Sequence, residues 1–191
     1  RVRSSAASDV YKRQLHHPMK YQGKRLELVA HPKNNAELVN FIDFSTQKLL
    51  DLAKKYDCKV LVHGSYELEE AELLEPFASI EDARQYLFSR MDHFCHIGKD
   101  YIMFENGISK LFSFGKPEFD QLLAQKGYPL TYDVSHAFIY LHGDNNALQR
   151  SLETLKETII HYHLVDSLGK RHDSLTLGPV SYTHLTLPTI L

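Results

Sequence analysis

The chain has 191 residues, of which 43% are hydrophobic and 24% are charged, with 9 Gly and 7 Pro. This composition is typical of globular proteins and excludes the collagen-like, disordered and coiled-coil classes. The formal net charge is −2, so no overall basic field favours nucleic acid. No apolar run approaches the roughly eighteen residues of a membrane span, and we expect no membrane partner. Two cysteines, Cys58 and Cys95, fit a reducing compartment, which predicts a cytoplasmic protein.

The two ends of the chain differ from its middle. Residues 4–14 (SSAASDVYKRQ) and 180–191 (VSYTHLTLPTIL) share no pattern with their neighbours, and both resemble translated sequencing-adapter read-through. We therefore predict non-native tails at 1–14 and 180–191 and one domain at 15–179. On this interpretation the domain is an internal piece of a longer protein.

Between the tails, short apolar strands alternate with segments of helical periodicity. The predicted strands are 26–30, 59–62, 101–104, 130–133 and 159–164, and the predicted helices are 35–56, 80–96, 117–126 and 145–157. This alternation indicates βα units and a parallel sheet. An open doubly wound sheet and a closed barrel both fit the pattern.

A histidine or a carboxylate stands at or just after the end of every predicted strand. These residues are His31, His63, Glu105, Asp133 and His163. Because the carboxyl ends of parallel strands meet on one face, we expect the five side chains to converge where α/β active sites are built. Imidazole and carboxylate are ligands of divalent metals, so the pattern predicts a zinc, manganese, magnesium or cobalt site.

Three further residues extend this candidate site. His136 follows Asp133 closely enough to reach the same metal region, and Arg171 and His172 follow the last predicted strand. We expect His136 and His172 to be additional metal ligands. The expected catalytic residues are Glu105 and His136, and the expected substrate-binding residues are His63, His136, Arg171 and His172.

Four motifs carry a family resemblance: ENG (105–107), DVSHAF (133–138), HYHLVDS (161–167) and HDSLTLG (172–178). In order and spacing they resemble the xylose isomerase-like TIM-barrel superfamily, which includes sugar-phosphate isomerases and epimerases and the AP endonucleases of family 2. The resemblance covers nearly all of 26–178. It implies an α/β fold, a partial (β/α)8 TIM barrel of parallel strands and outer helices with about five of the eight strands present.

The two branches of the superfamily imply different uses of the site. The isomerase and epimerase branch implies one divalent metal held by Glu105, Asp133 and His163 with a carboxylate from an eighth strand, and His136 against the substrate. The endonuclease branch implies a zinc cluster that also recruits His31, His63, His136 and His172. Each branch shows one departure. Lys170 stands where the endonucleases have Asp, and Leu111 and Phe112 fill the region where epimerases have a catalytic Glu.

Charge distribution separates the branches at the level of sequence. Lys and Arg are scattered, and acidic residues concentrate between Glu67 and Glu75, which disfavours a DNA backbone as substrate. The first expectation is therefore a metal-dependent isomerase or epimerase of a small sugar or sugar phosphate, acting through an enediolate. The alternatives are a zinc-dependent endonuclease that cleaves DNA at abasic sites, and an inactive fragment of such a barrel.

Overall fold

The computed structural model describes residues 14–68 and 73–171. The predicted tail 180–191, residues 1–13 of the other predicted tail, and the candidate ligand His172 lie outside these ranges. Gln14, the last residue of the predicted N-terminal tail, is the first residue of a strand. None of the helices in the described ranges is both long and apolar enough to cross a membrane.

Five strands form one parallel sheet in these ranges. They are β1 (Gln14–His16), β4 (Lys59–Ser65), β5 (Ile102–Asn106), β6 (Leu130–Asp133) and β7 (Ile159–His163), and β2 (Lys20–Tyr21) and β3 (Lys24–Arg25) form a separate antiparallel hairpin. The order in the sheet, β1-β4-β5-β6-β7, is the order in the chain. A doubly wound sheet reverses its strand order at a switch point, whereas a barrel adds each strand on the same side of the last. The sheet is therefore wound as a barrel.

The sheet is also strongly curled. Gln14 and His163 belong to its two outermost strands, yet Gln14 Nε2 donates a hydrogen bond to His163 Nε2 over 2.9 Å. Four strand spacings in a flat sheet would separate β1 from β7 by about 19 Å. The prediction of a parallel α/β fold that forms part of a TIM barrel is confirmed.

Five helices connect the strands: α1 (Pro32–Tyr56), α2 (Ile80–Gly98), α3 (Pro117–Lys126), α4 (Val134–Tyr140) and α5 (Asn145–Leu155). Local chemistry sets their ends. The Ser79 side chain accepts from Asp82 N at the start of α2. Pro117 starts α3, and Gly127 ends it at φ 66° in the left-handed region. Asp144 caps α5 through two backbone N–H groups.

The predicted strand 26–30 is wrong. This segment turns, with Ala30 N donating to Glu27 O over 2.9 Å, and the first strand of the sheet is β1 instead. The apolar residues are real core residues, since Leu28 and Val29 are fully buried. These residues are buried without pairing to a neighbouring strand. The Glu27 side chain instead accepts hydrogen bonds from backbone N–H groups of the loop at 66–68. Helix α4 and the β2–β3 hairpin are elements that the sequence pattern did not predict.

Strand alternation divides the sheet into an apolar outer side and a polar inner side. On the outer side, Phe104 packs against Tyr128 and Tyr132 packs against Phe114, at centroid distances of 6.0 and 5.2 Å. All four side chains are buried under the helices. Their neighbours along the strands, Glu105 and Asp133, consequently point to the concave side.

Candidate metal centre

The concave side of the sheet holds a cavity of about 540 Å³ at the carboxyl ends of the strands. Strand pairing sets two of its donor pairs side by side, because His63 is in register with Glu105 and Asp133 is in register with His163. The cavity is lined by His16, Met19, His63, Tyr66, Glu105, Asp133, His136, Tyr162, His163, Leu164 and Val165. No Lys or Arg belongs to this lining within the part of the chain that the structure describes.

Glu105 lies at the centre of the site on the middle strand, with 1% of its surface exposed. Its Oε1 accepts a hydrogen bond from His163 Nδ1 over 2.6 Å. Its Oε2 lies 3.2 Å from His63 Nε2 and 3.7 Å from His16 Nε2. The two oxygens of this carboxylate therefore face different histidines: Oε1 faces His163, and Oε2 faces His63 and His16.

Asp133 ends β6 and begins α4. Its Oδ1 accepts from the backbone N of His136 and from Ser135 Oγ, both over 2.8 Å, which caps the helix. Its Oδ2 lies 3.9 Å from His163 Nδ1 and 3.6 Å from His136 Nδ1. The cap fixes the carboxylate so that the second oxygen points at the histidines.

Asn106 joins β5 to β6 behind the site. Its side-chain amide donates to Asp133 O over 3.0 Å and accepts from Asp133 N over 2.8 Å, so both backbone groups of the ligand are held. The backbone O of Asn106 also lies 2.9 Å from His136 Nδ1. A carbonyl only accepts, so Nδ1 carries the proton and Nε2 of His136 carries the lone pair.

The donors fit a divalent metal. Ligand atoms of Glu105, Asp133 and His163 lie within 4.8 Å of one another, and those of His16, His63 and Glu105 form a second such group. Glu105 Oε2 is buried and makes no hydrogen bond with a described residue, although His63 Nε2 lies 3.2 Å away. A buried carboxylate oxygen without a partner is costly, and a cation between it and the imidazoles would satisfy it. Mixed oxygen and nitrogen donors suit zinc, manganese or cobalt.

Burial and charge set the protonation of two histidines. Burial lowers the pKa of His63 well below its usual value, and the neighbouring histidines lower it further, so His63 is neutral at pH 7. Burial also lowers the pKa of His163, but the hydrogen bond and charge of Glu105 outweigh it and the net shift is upward. The charged form is therefore favoured at His163 and disfavoured at His63, on the two sides of the same Glu105 carboxylate.

The structure brings most of the predicted site residues together. His63, Glu105, Asp133, His136 and His163 line one cavity. His31 does not join them, because it caps α1 through Lys33 N and its ring contacts Phe77 and Tyr86 at 5.5 and 4.9 Å. Arg171 is exposed and lies outside the lining, and its backbone O accepts from Ser167 Oγ. His172 lies beyond the described residues.

His16 and Tyr66 are cavity residues that sequence reasoning missed. His16 ends β1, the position that the misplaced strand assigned to His31. The signal was a second His-Pro pair, His17-Pro18, directly after His16, since proline commonly ends a strand. Tyr66 had no signal of its own, because a tyrosine in a loop carries no pattern.

Comparisons with known proteins define the class of fold. No protein family and no curated protein sequence matches the chain. Among solved structures, the crystal structure of SacUVDE, which has a TIM-barrel fold, is similar with a TM-score of 0.50 and 16% sequence identity. The alignment covers 74% of this chain and 43% of SacUVDE, so the chain spans less than half the length of that protein. At this identity the likeness supports the barrel fold.

Proposed function

We propose that the chain belongs to a divalent-metal-dependent isomerase or epimerase of the xylose isomerase-like superfamily, acting on a small sugar or sugar phosphate. The observation that carries the proposal is the group formed by Glu105, Asp133 and His163, whose donor atoms lie within 4.8 Å of one another. Two of these three residues are almost fully buried, at 1% and 3% exposure for Glu105 and Asp133. Such a rigid, polar group at the strand ends is where barrel enzymes carry out chemistry.

The cavity supports a small substrate of low charge. Its volume of about 540 Å³ lies within the range of small-molecule sites. The described lining holds histidines, tyrosines and carboxylates but no Lys or Arg, so a neutral polyol is favoured over a long polyanion. Zinc, manganese, magnesium or cobalt would be the cofactor, and a cytoplasmic location remains a prediction.

Glu105, Asp133 and His163 would hold the ion. When bound, the metal would polarise a carbonyl and stabilise the negative charge of an enediolate. His136 would take the moving proton, because its Nδ1 is held by Asn106 O and its Nε2 carries the lone pair. Neutral His63, on the other side of Glu105, would accept a hydrogen bond from a substrate hydroxyl. Glu105 would act by holding the ion.

The test is exchange of the substrate's α-proton. Enolisation of a ketose in D2O replaces this proton with deuterium, which NMR detects even where net conversion is slow. We expect exchange with the Mn²⁺- or Co²⁺-loaded chain and at least a tenfold slower rate in Asp133→Asn, which keeps the helix cap but removes the charge. Asp51→Asn, an exposed position on α1, is the matched control. Equal exchange rates in Asp133→Asn and the wild type would contradict the proposal.

A second candidate function rests on a different observation. Glu105 Oε1 faces His163, whereas Oε2 faces His16 and His63, and a carboxylate with this arrangement can bridge two metals. Two-metal sites hydrolyse phosphodiesters, which supports a zinc-dependent endonuclease acting at abasic DNA sites. Two zinc ions per chain with nicking of an abasic oligonucleotide and no α-proton exchange would favour this function. A metal-free chain without either activity would indicate an inactive fragment.

A further inference from the structure

Tyr66 forms one wall of the cavity and stands immediately after β4. Its ring meets the rings of His63 and His136 edge to face, at centroid distances of 5.1 and 5.3 Å and interplanar angles of 84° and 85°. It lies outside the hydrophobic core of the described residues and is half-buried. Its position therefore serves the cavity rather than the packing of the sheet.

The loop that carries Tyr66 is held by a buried carboxylate from a distant segment. Glu27, 1% exposed, accepts from three consecutive backbone N–H groups: Tyr66, Glu67 and Leu68, over 2.9, 3.2 and 3.4 Å. Hydrogen bonds to a charged acceptor are stronger than neutral ones. Burial raises the pKa of Glu27, although the backbone N–H donors oppose the shift, and the three hydrogen bonds fix the backbone of a short loop beside the cavity.

The ENG motif holds the same loop from the other side. Ile108 N donates to Tyr66 O over 2.7 Å. A Cβ at Gly107 would lie 2.3 Å from both Ser65 O and Tyr66 O, so only glycine allows this close approach. The motif thus places Glu105 in the metal group and, two residues later, sets the position of Tyr66.

A third contact orients the ring itself. The guanidinium carbon of Arg25, on β3, lies 4.6 Å from the centre of the Tyr66 ring, and Arg25 Nη2 donates to Glu67 Oε2 over 2.9 Å. A cation over an aromatic face stabilises the ring in one orientation. The Tyr66 side chain is half-buried and lines the cavity, so its hydroxyl is within reach of a ligand bound there.

We propose that Tyr66 determines substrate specificity, with Glu27 as its positioning residue. The ring packs against the carbon face of a small sugar, and the hydroxyl bonds to a sugar hydroxyl beside His63 and His136. An aromatic ring with a polar tip suits a polyol, which presents C–H and O–H groups together. The identity of the substrate rests on the proposed isomerase function, whereas polyol binding by Tyr66 can be tested without it.

The experiment compares Tyr66→Ala, Tyr66→Phe and Glu27→Gln with wild type in the Co²⁺-loaded chain. Calorimetry measures the Kd of xylitol, an unreactive polyol, and ketose exchange gives kcat and KM. We expect Tyr66→Ala to raise both the Kd and KM about tenfold, with kcat and Co²⁺ content unchanged. Tyr66→Phe tests the hydroxyl in a chain that keeps the ring. Glu27→Gln should raise KM less than Tyr66→Ala does, because glutamine retains one acceptor oxygen for the loop. Tyr56→Ala, at a tyrosine 59% exposed on α1, is the control.

The outcomes separate the two proposals. Wild-type xylitol affinity in Tyr66→Ala overturns the role of Tyr66, as does loss of Co²⁺, which would indicate a purely structural role. A wild-type chain that binds xylitol but exchanges no ketose proton contradicts the isomerase, while xylitol affinity still decides the role of Tyr66. A wild-type chain that does not bind xylitol overturns the role of Tyr66 directly.

Discussion

Asp120 is a buried carboxyl remote from the metal group, and it shows how a single residue couples stability to pH. It is 1% exposed, and both of its oxygens accept from Gly115 N, over 3.0 and 3.1 Å. Burial raises its pKa from 3.8 to about 6, although the Gly115 N–H opposes the shift. The folded state therefore binds this proton more tightly than the unfolded state. The associated stability is complete below pH 3.8 and is lost as the pH rises through 6.

Replacement of Asp120 by Asn should remove this pH dependence. Asn cannot ionise and still accepts from Gly115 N, so we expect the variant to gain on the order of 3 kcal/mol relative to wild type between about pH 4 and pH 7. Urea unfolding across this range measures the difference. Asp51→Asn, at an exposed position, should follow the wild-type profile, and parallel profiles for Asp120→Asn and wild type would show that burial does not raise the pKa of Asp120.

Most metal-group residues were predictable because each follows a strand. His63, Glu105, Asp133 and His163 end apolar segments whose period is clear, and parallel pairing brings such ends together. The sequence predicted His31 at the end of the first strand, whereas the structure has His16 there, and the difference has a physical reason. The apolar segment 26–30 is buried in a turn, whereas the short β1 has too few residues to show a period. The loop that carries Tyr66 is held by tertiary hydrogen bonds to its backbone, and such contacts leave no periodic signal in the sequence.

At the scale of elements, the junction between β5 and β6 depends on one amide. Asn106 is fully buried and satisfies both backbone groups of Asp133. Asn106→Ala leaves a buried N–H and a buried C=O without partners, and we expect a loss of about 2 to 4 kcal/mol in the free energy of unfolding. Urea titration measures this loss. Asn146→Ala, at an exposed position in the first turn of α5, should change stability by less than about 1 kcal/mol.

The turn after β5 should tolerate no side chain at Gly107. We expect Gly107→Ala to cost several kcal/mol, on the order of 3, because the added Cβ would lie 2.3 Å from two carbonyl oxygens of the Tyr66 loop. Gly23→Ala is the comparison, since nothing lies within 4 Å of its Cβ and only its φ of +82° opposes the change. A smaller loss for Gly107→Ala than for Gly23→Ala would mean that the loop relaxes away from β5.

Helix and strand bounds were predictable wherever local chemistry marks them. Helix α3 occupies the predicted residues Pro117–Lys126, because proline starts it and glycine ends it. Strand β6 likewise occupies Leu130–Asp133 as predicted. Helix α4 is seven residues long and was missed, since its start depends on the Asp133 cap and six of its seven residues are buried. Short elements of this kind are specified by tertiary contacts more than by periodicity.

At the scale of the whole molecule, metal binding should stabilise the fold. The donors come from β1, β4, β5, β6 and β7, so an ion binds the folded chain far better than the unfolded one. At a Mn²⁺ concentration about one hundred times the Kd, we expect about 2.7 kcal/mol of added stability. Thermal unfolding with Mn²⁺ and then with excess EDTA measures the gain and its reversal. Glu105→Gln should remove the gain, and a gain that survives this change would point to a different site.

The sequential order of the strands has a consequence for biosynthesis. Each strand pairs with the strand that precedes it in the sheet and in the chain, so βα units can dock one after another while the polypeptide leaves the ribosome. Glu105 and Asp133 are in place once β6 has docked, but their imidazole partner His163 arrives only with β7. If the proposed ion binds through Glu105, Asp133 and His163, a nascent chain cannot hold it with all three residues until β7 has been translated and docked. A stalled chain that ends before His163 would then bind the ion less tightly than the chain that contains β7.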